Sequence, residues 1–296
     1  MNLHSIKSIP DDLEKFYFNV GYFINQKTNE HVVSLAPHQI QTWADRWISK
    51  YRLYLKSQKI GLSTMILLED FHIALTRGRG KEILIISQSK EKAKEHIQDL
   101  KKMIGNSIYA DFLINRPTTQ EDLLKDERSK IDTIYLRNPE NPNHPTKIIA
   151  LGITSVGSLI SFKKVCHIHM SDVTLADMVE ERFVEAFGGA FSRLANTDGT
   201  LVIECPPRGP QGPVFNIVDE DSLKQDGITV ELDEGKKILT PSGFLVRRYT
   251  YQVGIDCGMI TIPFIEKEKR RLGVLLACII WLTFIQLTKH GLIKIP

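Results

Sequence analysis

The hydrophobic positions of this chain switch repeatedly between short continuous runs and a helical spacing. Tyr51–Leu55 (YRLYL) is an apolar-aromatic run that leads into a polar stretch, Lys56–Lys59. The stretch tightens at Gly61, and Ser63–Thr64 open a run read as an amphipathic helix over Ser63–Arg77, ended by Gly78 and Gly80. Glu82–Ser87 (EILIIS) is short, apolar and rich in β-branched residues, as a buried strand is. Lys90–Ile104 then places Ala93, Ile97, Leu100 and Ile104 at helical spacing beneath a lysine-rich outer face. Strand, helix, strand and helix at these lengths predict a parallel sheet with right-handed crossovers.

The pattern continues to the end of the chain. Residues 106–130 are polar and mixed, and Asn138–Pro145 (NPENPNHP) is a surface excursion between strands at Ile131–Leu136 and Lys147–Leu151. Lys163–Asp172 is an apolar run that ends in an acid, with a helical run at Ala176–Leu194 after it. Thr200–Glu204 reads as a buried strand running into Cys205-Pro206-Pro207-Arg208-Gly209-Pro210, a rigid turn. At the front, residues 1–35 form a helical or hairpin lead-in (FYFNVGYF). Pro37 suits a helix start, and Gln39, Trp43 and Trp47 share one helical face, which predicts two tryptophans in the core.

Composition narrows the classes. With 296 residues, 42% hydrophobic and 25% charged, the chain can bury a sizeable core in one or two domains. A net charge of +3 carries no bulk polyelectrolyte attraction, so binding to nucleic acid would need local patches. The lysines of Lys90–Ile104 are read first as a solvated helix face and second as such a patch. Cys166, Cys205, Cys257 and Cys278 are scattered, without C-x-x-C spacing, and suit reduced core thiols in an intracellular protein. The N-terminus lacks an apolar signal core, which argues against export. Leu272–Thr288 is apolar and uncharged for about one membrane crossing, at the short limit.

Candidate chemistry centres on KSQKIGLST, Lys56–Thr64. Strand, loop and helix are the setting of a phosphate-cradling loop, G-x-x-x-x-G-K-[ST]. Here Lys56 stands at the first glycine, Gly61 is kept, Leu62 replaces the lysine, and Ser63 keeps the hydroxyl. Backbone N–H groups of Ile60, Gly61, Leu62, Ser63 and Thr64 can point at a phosphate, aided by the helix N-terminus. Ser63 can reach a magnesium ion, and Lys56 or its rival Lys59 can turn an ammonium onto the loop. Gln39 is a helix-core residue or a reader of an adenine edge through its amide. Asp172 ends a strand where open parallel sheets bind ligands, and is a metal acid or a cap for the next helix. His167 and His169 share a strand face without a third ligand at sensible spacing, and are read as core or surface histidines.

In this order the stretches resemble the ATPase domain of the large terminase subunit of tailed phages and their archaeal virus relatives, from about Leu35 to about Tyr251. LAPHQIQTW looks like the adenine-reading glutamine motif, and KSQKIGLST like the deviant phosphate loop with its lysine at the start. HIHMSD looks like the acidic strand end, and LVIECPPRG like the coupling motif. The resemblance implies an α/β fold of the P-loop NTPase type: a mostly parallel sheet flanked by helices, with a short helical lead-in and an apolar C-terminal tail. It divides the chain into a lead-in at 1–34, an ATPase domain at 35–255 and a tail at 256–296.

By position, the resemblance implies that Gln39 contacts adenine and Lys56 the β/γ-phosphates of ATP. Gly61 allows close backbone approach, Ser63 binds Mg2+, Asp172 sits at the metal or the attacking water, and Arg208 lies near the nucleotide. The implied work is driving duplex DNA into a capsid inside the host cell cytoplasm. Its implied partners are a portal and a small terminase subunit, and the active form a homo-oligomer.

Three departures stand out. The family's Asp-Glu strand end is here Ser171-Asp172-Val173, so either Asp172 is the metal acid and the base comes later (Asp177, Glu180), or Asp172 is the base and Ser171 replaces the metal acid. Cys205 replaces the coupling Ser/Thr. Finally, the family's C-terminal nuclease is not expected. VGIDCG (Val253–Gly258) could pass for its first strand, with Asp256 as a ligand, but no Asp or Glu follows Glu268, so Asp256 is read as the close of the ATPase region. The apolar end is read as frameshifted sequence in a truncated, proviral terminase, as a core helix, or as a membrane helix. Two further functions compete with the packaging motor: a helicase-like P-loop ATPase, and a nucleotide- or DNA-binding remnant that no longer hydrolyses.

Overall fold

A computed structural model describes residues 9–21, 35–114, 132–155, 161–173, 180–206, 214, 217 and 235–272. Arg208, Asp177 and the apolar run from 273 onward lie outside these residues. In chain order the elements are α1 (Leu13–Val20), α2 (Pro37–Asp45), β1 (Tyr51–Lys56), α3 (Leu62–Leu75), β2 (Glu82–Ser87) and α4 (Lys90–Asn106). They continue with β3 (Thr133–Leu136), β4 (Thr146–Gly152), β5 (Val165–Ser171), α5 (Glu180–Ala195), β6 (Thr200–Cys205), β7 (Lys237–Leu239), β8 (Phe244–Tyr249), α6 (Tyr251–Asp256) and α7 (Ile262–Leu272). The strands form an eight-stranded sheet in the order β3-β4-β2-β5-β6-β1-β8-β7. It is mostly parallel; β3 against β4 and β7 against β8 are antiparallel.

The chain divides into two compact units, one of residues 1–35, 64–169 and 188–200, the other of 36–63, 170–187 and 201–296. In the first, β2 runs parallel to β4 from Glu82 opposite Lys147 to Ser87 opposite Gly152. The proline-rich excursion joins the antiparallel pair β3 and β4. Helix α4 starts where the Ser89 hydroxyl accepts from Lys92 N at 3.1 Å, and buries Ala93, Ile97, Leu100 and Ile104, the spacing read from sequence. Its lysines stay outside. The lead-in helix α1 is capped by Asp12 and packs Phe16 against Phe71, His72 and Tyr109, with ring centroids 4.9–5.8 Å apart.

In the second unit β1 lies between β6 and β8, parallel to both, and Ser57 N donates to Tyr249 O at 2.8 Å to extend the β8 ladder. Arg247 of β8 forks onto Asp45 of α2 through Nε (2.6 Å) and Nη2 (2.7 Å), both side chains buried, and Tyr54 OH donates to the same carboxylate at 3.3 Å. This bidentate pair holds α2 across the sheet.

Two expectations change. Helix α3 is not amphipathic: Met65–Leu75 is buried throughout, Glu69, Asp70 and His72 included, because the helix finds cover on every side. Of the two tryptophans only Trp43 is buried; α2 ends at Asp45, so Trp47 leaves the helical face and is 66% exposed. The Arg46 guanidinium lies 3.6 Å from the Trp43 ring centre and 4.6 Å from that of Trp47, a cation–π contact to each. The VGIDCG stretch is helical, with Asp256 accepting from Gln252 Nε2 at 2.7 Å.

Candidate functional site

The site grows from the carboxyl end of β1. Lys56 is the last residue of the strand, and α3 begins at Leu62, so residues 57–61 make the connecting loop. Gly61 has φ 72° and Lys59 φ 61°, the left-handed conformation that lets a short loop reverse direction. Helix α2 grips this loop from one side. His38 Nε2 lies 2.7 Å from Ile60 O, and Gln39 Nε2 donates to Gly61 O at 3.1 Å. Described peptide bonds are all trans, and in a trans peptide the N–H points opposite to the C=O. With the carbonyls of Ile60 and Gly61 turned toward α2, the N–H groups of Gly61 and Leu62 face away from it. These join the first N–H groups of α3, which have no intrahelical acceptor, at the positive end of a helix dipole. Ser63 and Thr64 stand in that first turn, both half-buried. Met259 and Gly254 also close on the loop: a Cβ on Gly61 would lie 2.9 Å from Gln39 Nε2 and 3.5 Å from Met259 Sδ, and one on Gly254 3.1 Å from Ile60 Cγ2.

Lys56 and Lys59 part company. The Lys59 ammonium sits 4.8 Å from the Phe264 ring centre, on the α7 side. Lys56 turns inward and is 5% exposed. Its Nζ is 2.7 Å from Glu204 Oε2 and 3.3 Å from Asp172 Oδ1. The register explains the first contact. Tyr54 of β1 is opposite Glu204 of β6, and Lys56, two residues on, points to the same face as Tyr54. The second depends on Asp172 leaving β5 with φ 51°, its N–H donating to Glu204 O at 2.8 Å. Aspartate tolerates this left-handed conformation better than most residues, and the turn brings its carboxylate to the ammonium. Ser171 is the last residue of β5, and its Oγ donates to Glu204 Oε1 at 2.6 Å.

The structure thus brings Lys56 to Asp172 and Gln39 to Gly61, with Leu62 and Ser63 next in the chain at the start of α3. It gives Gln39 two partners inside the protein, Gly61 O and, through its Oε1, Ala36 N at 2.9 Å. Two participants escaped the sequence reading. His38 gave no signal beyond adjacency to Gln39. Glu204 did: a carboxylate inside an otherwise apolar strand run is rarely buried without a partner. Asp172 and Glu204 are hard oxygen donors, and Ser63 adds a hydroxyl, a set that fits Mg2+, which keeps waters and phosphate oxygens rather than a full protein cage. Among the described residues no group of three or more His, Cys, Asp or Glu could hold an ion alone.

The strand histidines belong to the first unit and do something else. His167 Nε2 lies 2.9 Å from Asp70 Oδ1, and His169 Nδ1 2.8 Å from Asp70 Oδ2, all fully buried. Thr200 Oγ1 bridges His167 Nδ1 (2.6 Å) to Arg77 Nη2 (3.0 Å). Burial by itself would raise Asp70, but the charge of His169 and the hydrogen bonds of both imidazoles hold its carboxyl down at about 2. Burial pushes His167 below its ordinary value, against the pull of Asp70. They are core histidines.

No protein-family model matches the sequence, and no curated protein matches it. Among solved structures, the large terminase ATPase domain of Thermus phage P74-26 is similar with a TM-score of 0.58 over 90% of this chain and 96% of that one, at 13% identity. The large terminase of the HK97 bacteriophage gives 0.55 at 12% identity, covering 90% of this chain and 55% of that one. The large terminase of a thermophilic bacteriophage in complex with ADP gives 0.54 at 12% identity, over 84% of this chain and 53% of that one. The chain spans about half the length of these last two proteins. At such identities the likeness is one of fold, and the fold is that of terminase ATPase domains.

Proposed function

We propose that the chain is a terminase-type ATPase that binds ATP with Mg2+ at the loop of residues 56–64 and couples hydrolysis to the movement of duplex DNA into a viral capsid. The observation that carries this reading is the Lys56 ammonium resting between Asp172 and Glu204 at the carboxyl ends of strands, beside a loop whose N–H groups open onto a helix N-terminus. A likeness to a terminase solved with ADP, and with ATP-γ-S, supports nucleotide as the ligand. The site of action would be the host cell cytoplasm, and the partners a portal, a small terminase subunit and further copies of the chain.

The residues divide the work as phosphoryl transfer demands, by positioning and charge stabilisation. The Gly61 and Leu62 N–H groups and the α3 terminus receive phosphate oxygens. Lys56 leaves its carboxylates for the β/γ-phosphates, and Gln39 uses its remaining amide capacity on adenine. Ser63 and Asp172 would hold Mg2+, which when bound neutralises charge developing on the phosphates. Asp172 or a neighbouring carboxylate orients the attacking water, and Arg208 would serve the nucleotide as the resemblance implies.

The test is ATP hydrolysis with and without duplex DNA for the wild type, Lys56→Ala and Asp172→Ala. DNA-stimulated turnover in the wild type, lost in both variants, is expected. A wild type that binds no nucleotide overturns the reading. Serine at position 171, where the family has a carboxylate, favours one second reading, a nucleotide-binding remnant; binding of ATP without turnover would establish it.

A further inference from the structure

The end of β5 is one carboxylate short for a nucleotide-hydrolysing site, and the neighbouring strand has one to spare. Ser171 closes β5 as a fully buried hydroxyl. Glu204, one residue before the end of β6, is also fully buried. A carboxylate is taken out of water at a cost of several kcal/mol unless it is paired and hydrogen-bonded. Glu204 has both kinds of partner: Ser171 Oγ donates to one oxygen at 2.6 Å, and the Lys56 ammonium lies 2.7 Å from the other. Ser171 therefore does not merely lack the acid. Its hydroxyl fixes the acid that β6 presents.

The charge count points the same way. One ammonium faces two carboxylates, Glu204 and Asp172. If Glu204 served only to neutralise Lys56, Asp172 beside the same ammonium would be redundant.

We infer that Glu204 supplies from β6 the metal-side carboxylate that residue 171 lacks in β5, so that the acid pair of the site is Glu204 and Asp172, split across two neighbouring strands. The inference rests on the nucleotide-binding reading above and names the residues that would face the divalent cation of a nucleoside triphosphate. Glu204 and Asp172 share Lys56, and would be released toward the cation when Lys56 turns to the phosphates.

The experiment is binding of ATP-γ-S by calorimetry, in magnesium chloride and in EDTA. The wild type is expected to bind about tenfold or more tightly with magnesium, a difference of about 1.4 kcal/mol. Glu204→Gln should lose the gain from magnesium, the ratio of its affinities in magnesium and in EDTA falling toward one. The double variant Ser171→Asp/Glu204→Ser, which moves the carboxylate back to β5, should regain it. A full magnesium gain in Glu204→Gln overturns the inference. Should Glu204→Gln fail to fold, the double variant decides, and absence of the gain there overturns it equally. A wild type that binds ATP-γ-S in neither condition removes the nucleotide reading itself, a different failure from a wild type that binds and a Glu204→Gln that keeps the magnesium gain.

Discussion

At Lys56 a single ammonium stands between two carboxylates, and removing it has a consequence for folding before any consequence for chemistry. Its pair with Glu204 is 6% and 0% exposed. Breaking one side of such a pair leaves an uncompensated buried charge, at about 3–5 kcal/mol. Lys56→Ala is therefore expected to be destabilised by about that amount, and Lys56→Ala/Glu204→Gln to recover part of it, because the stranded charge is gone. Urea denaturation of the two variants and of Glu204→Gln closes the cycle; a Lys56→Ala as stable as the wild type would show that the pair is not buried. The same cycle guards the hydrolysis experiment, since loss of turnover in Lys56→Ala counts only for protein that is still folded.

At the scale of elements, the loop after β1 owes its shape to α2 more than to its own sequence. His38 and Gln39 each hold one loop carbonyl, and each hydrogen bond contributes about 1 kcal/mol. The glutamine can carry a second role, and the two neighbours separate the possibilities. His38→Ala and Gln39→Ala are both expected to lower ATP-γ-S affinity severalfold by loosening the loop. If Gln39 also reads adenine, only Gln39→Ala will narrow the preference for ATP over GTP, which competition binding would show. Equal narrowing in both variants, or in neither, would confine Gln39 to gripping the loop. Sequence placed α2 and named Gln39, but the partner of its amide, Gly61 O, lies 22 residues along the chain, where no local pattern points.

For the molecule as a whole, the buried Asp70 with its two histidines predicts acid sensitivity of the first unit. His167 has a lowered folded value, so its contribution is complete above the ordinary 6.5 and is lost as pH falls below that toward the lowered value. Asp70, held at about 2 against an ordinary 3.8, contributes above 3.8 and loses its contribution as pH falls through about 2. Both losses run toward acid. Asp70 is worth on the order of 2 kcal/mol across its window. Stability measured by urea midpoint is expected to drop from pH 7.5 to pH 5, and less steeply in His167→Gln, by at most about 1.4 kcal/mol per pH unit for one proton. An unchanged slope in that variant would assign the acid step to another group.

The sequence alone determined many of the elements, because each strand and helix writes its own period: Glu82–Ser87 and four buried positions of α4 were legible, whereas β7 and β8 were not. It also placed the loop, since a strand, a glycine at the turn and Ser-Thr opening a helix are all local. Trp47 was misread because helical spacing does not say where a helix stops, and α3 because its local pattern does not say that its polar side, Glu69, Asp70 and His72, is buried as well. Tertiary structure alone decided which lysine faces the acids, and that Glu204 of β6 is one of them. Lys56 meets Glu204 only because β6 pairs with β1 in one register, Tyr54 opposite Glu204. That register is set by non-local packing: strand pairing is fixed by which apolar faces can be buried together, and a single chain read in order carries the faces but not their partners.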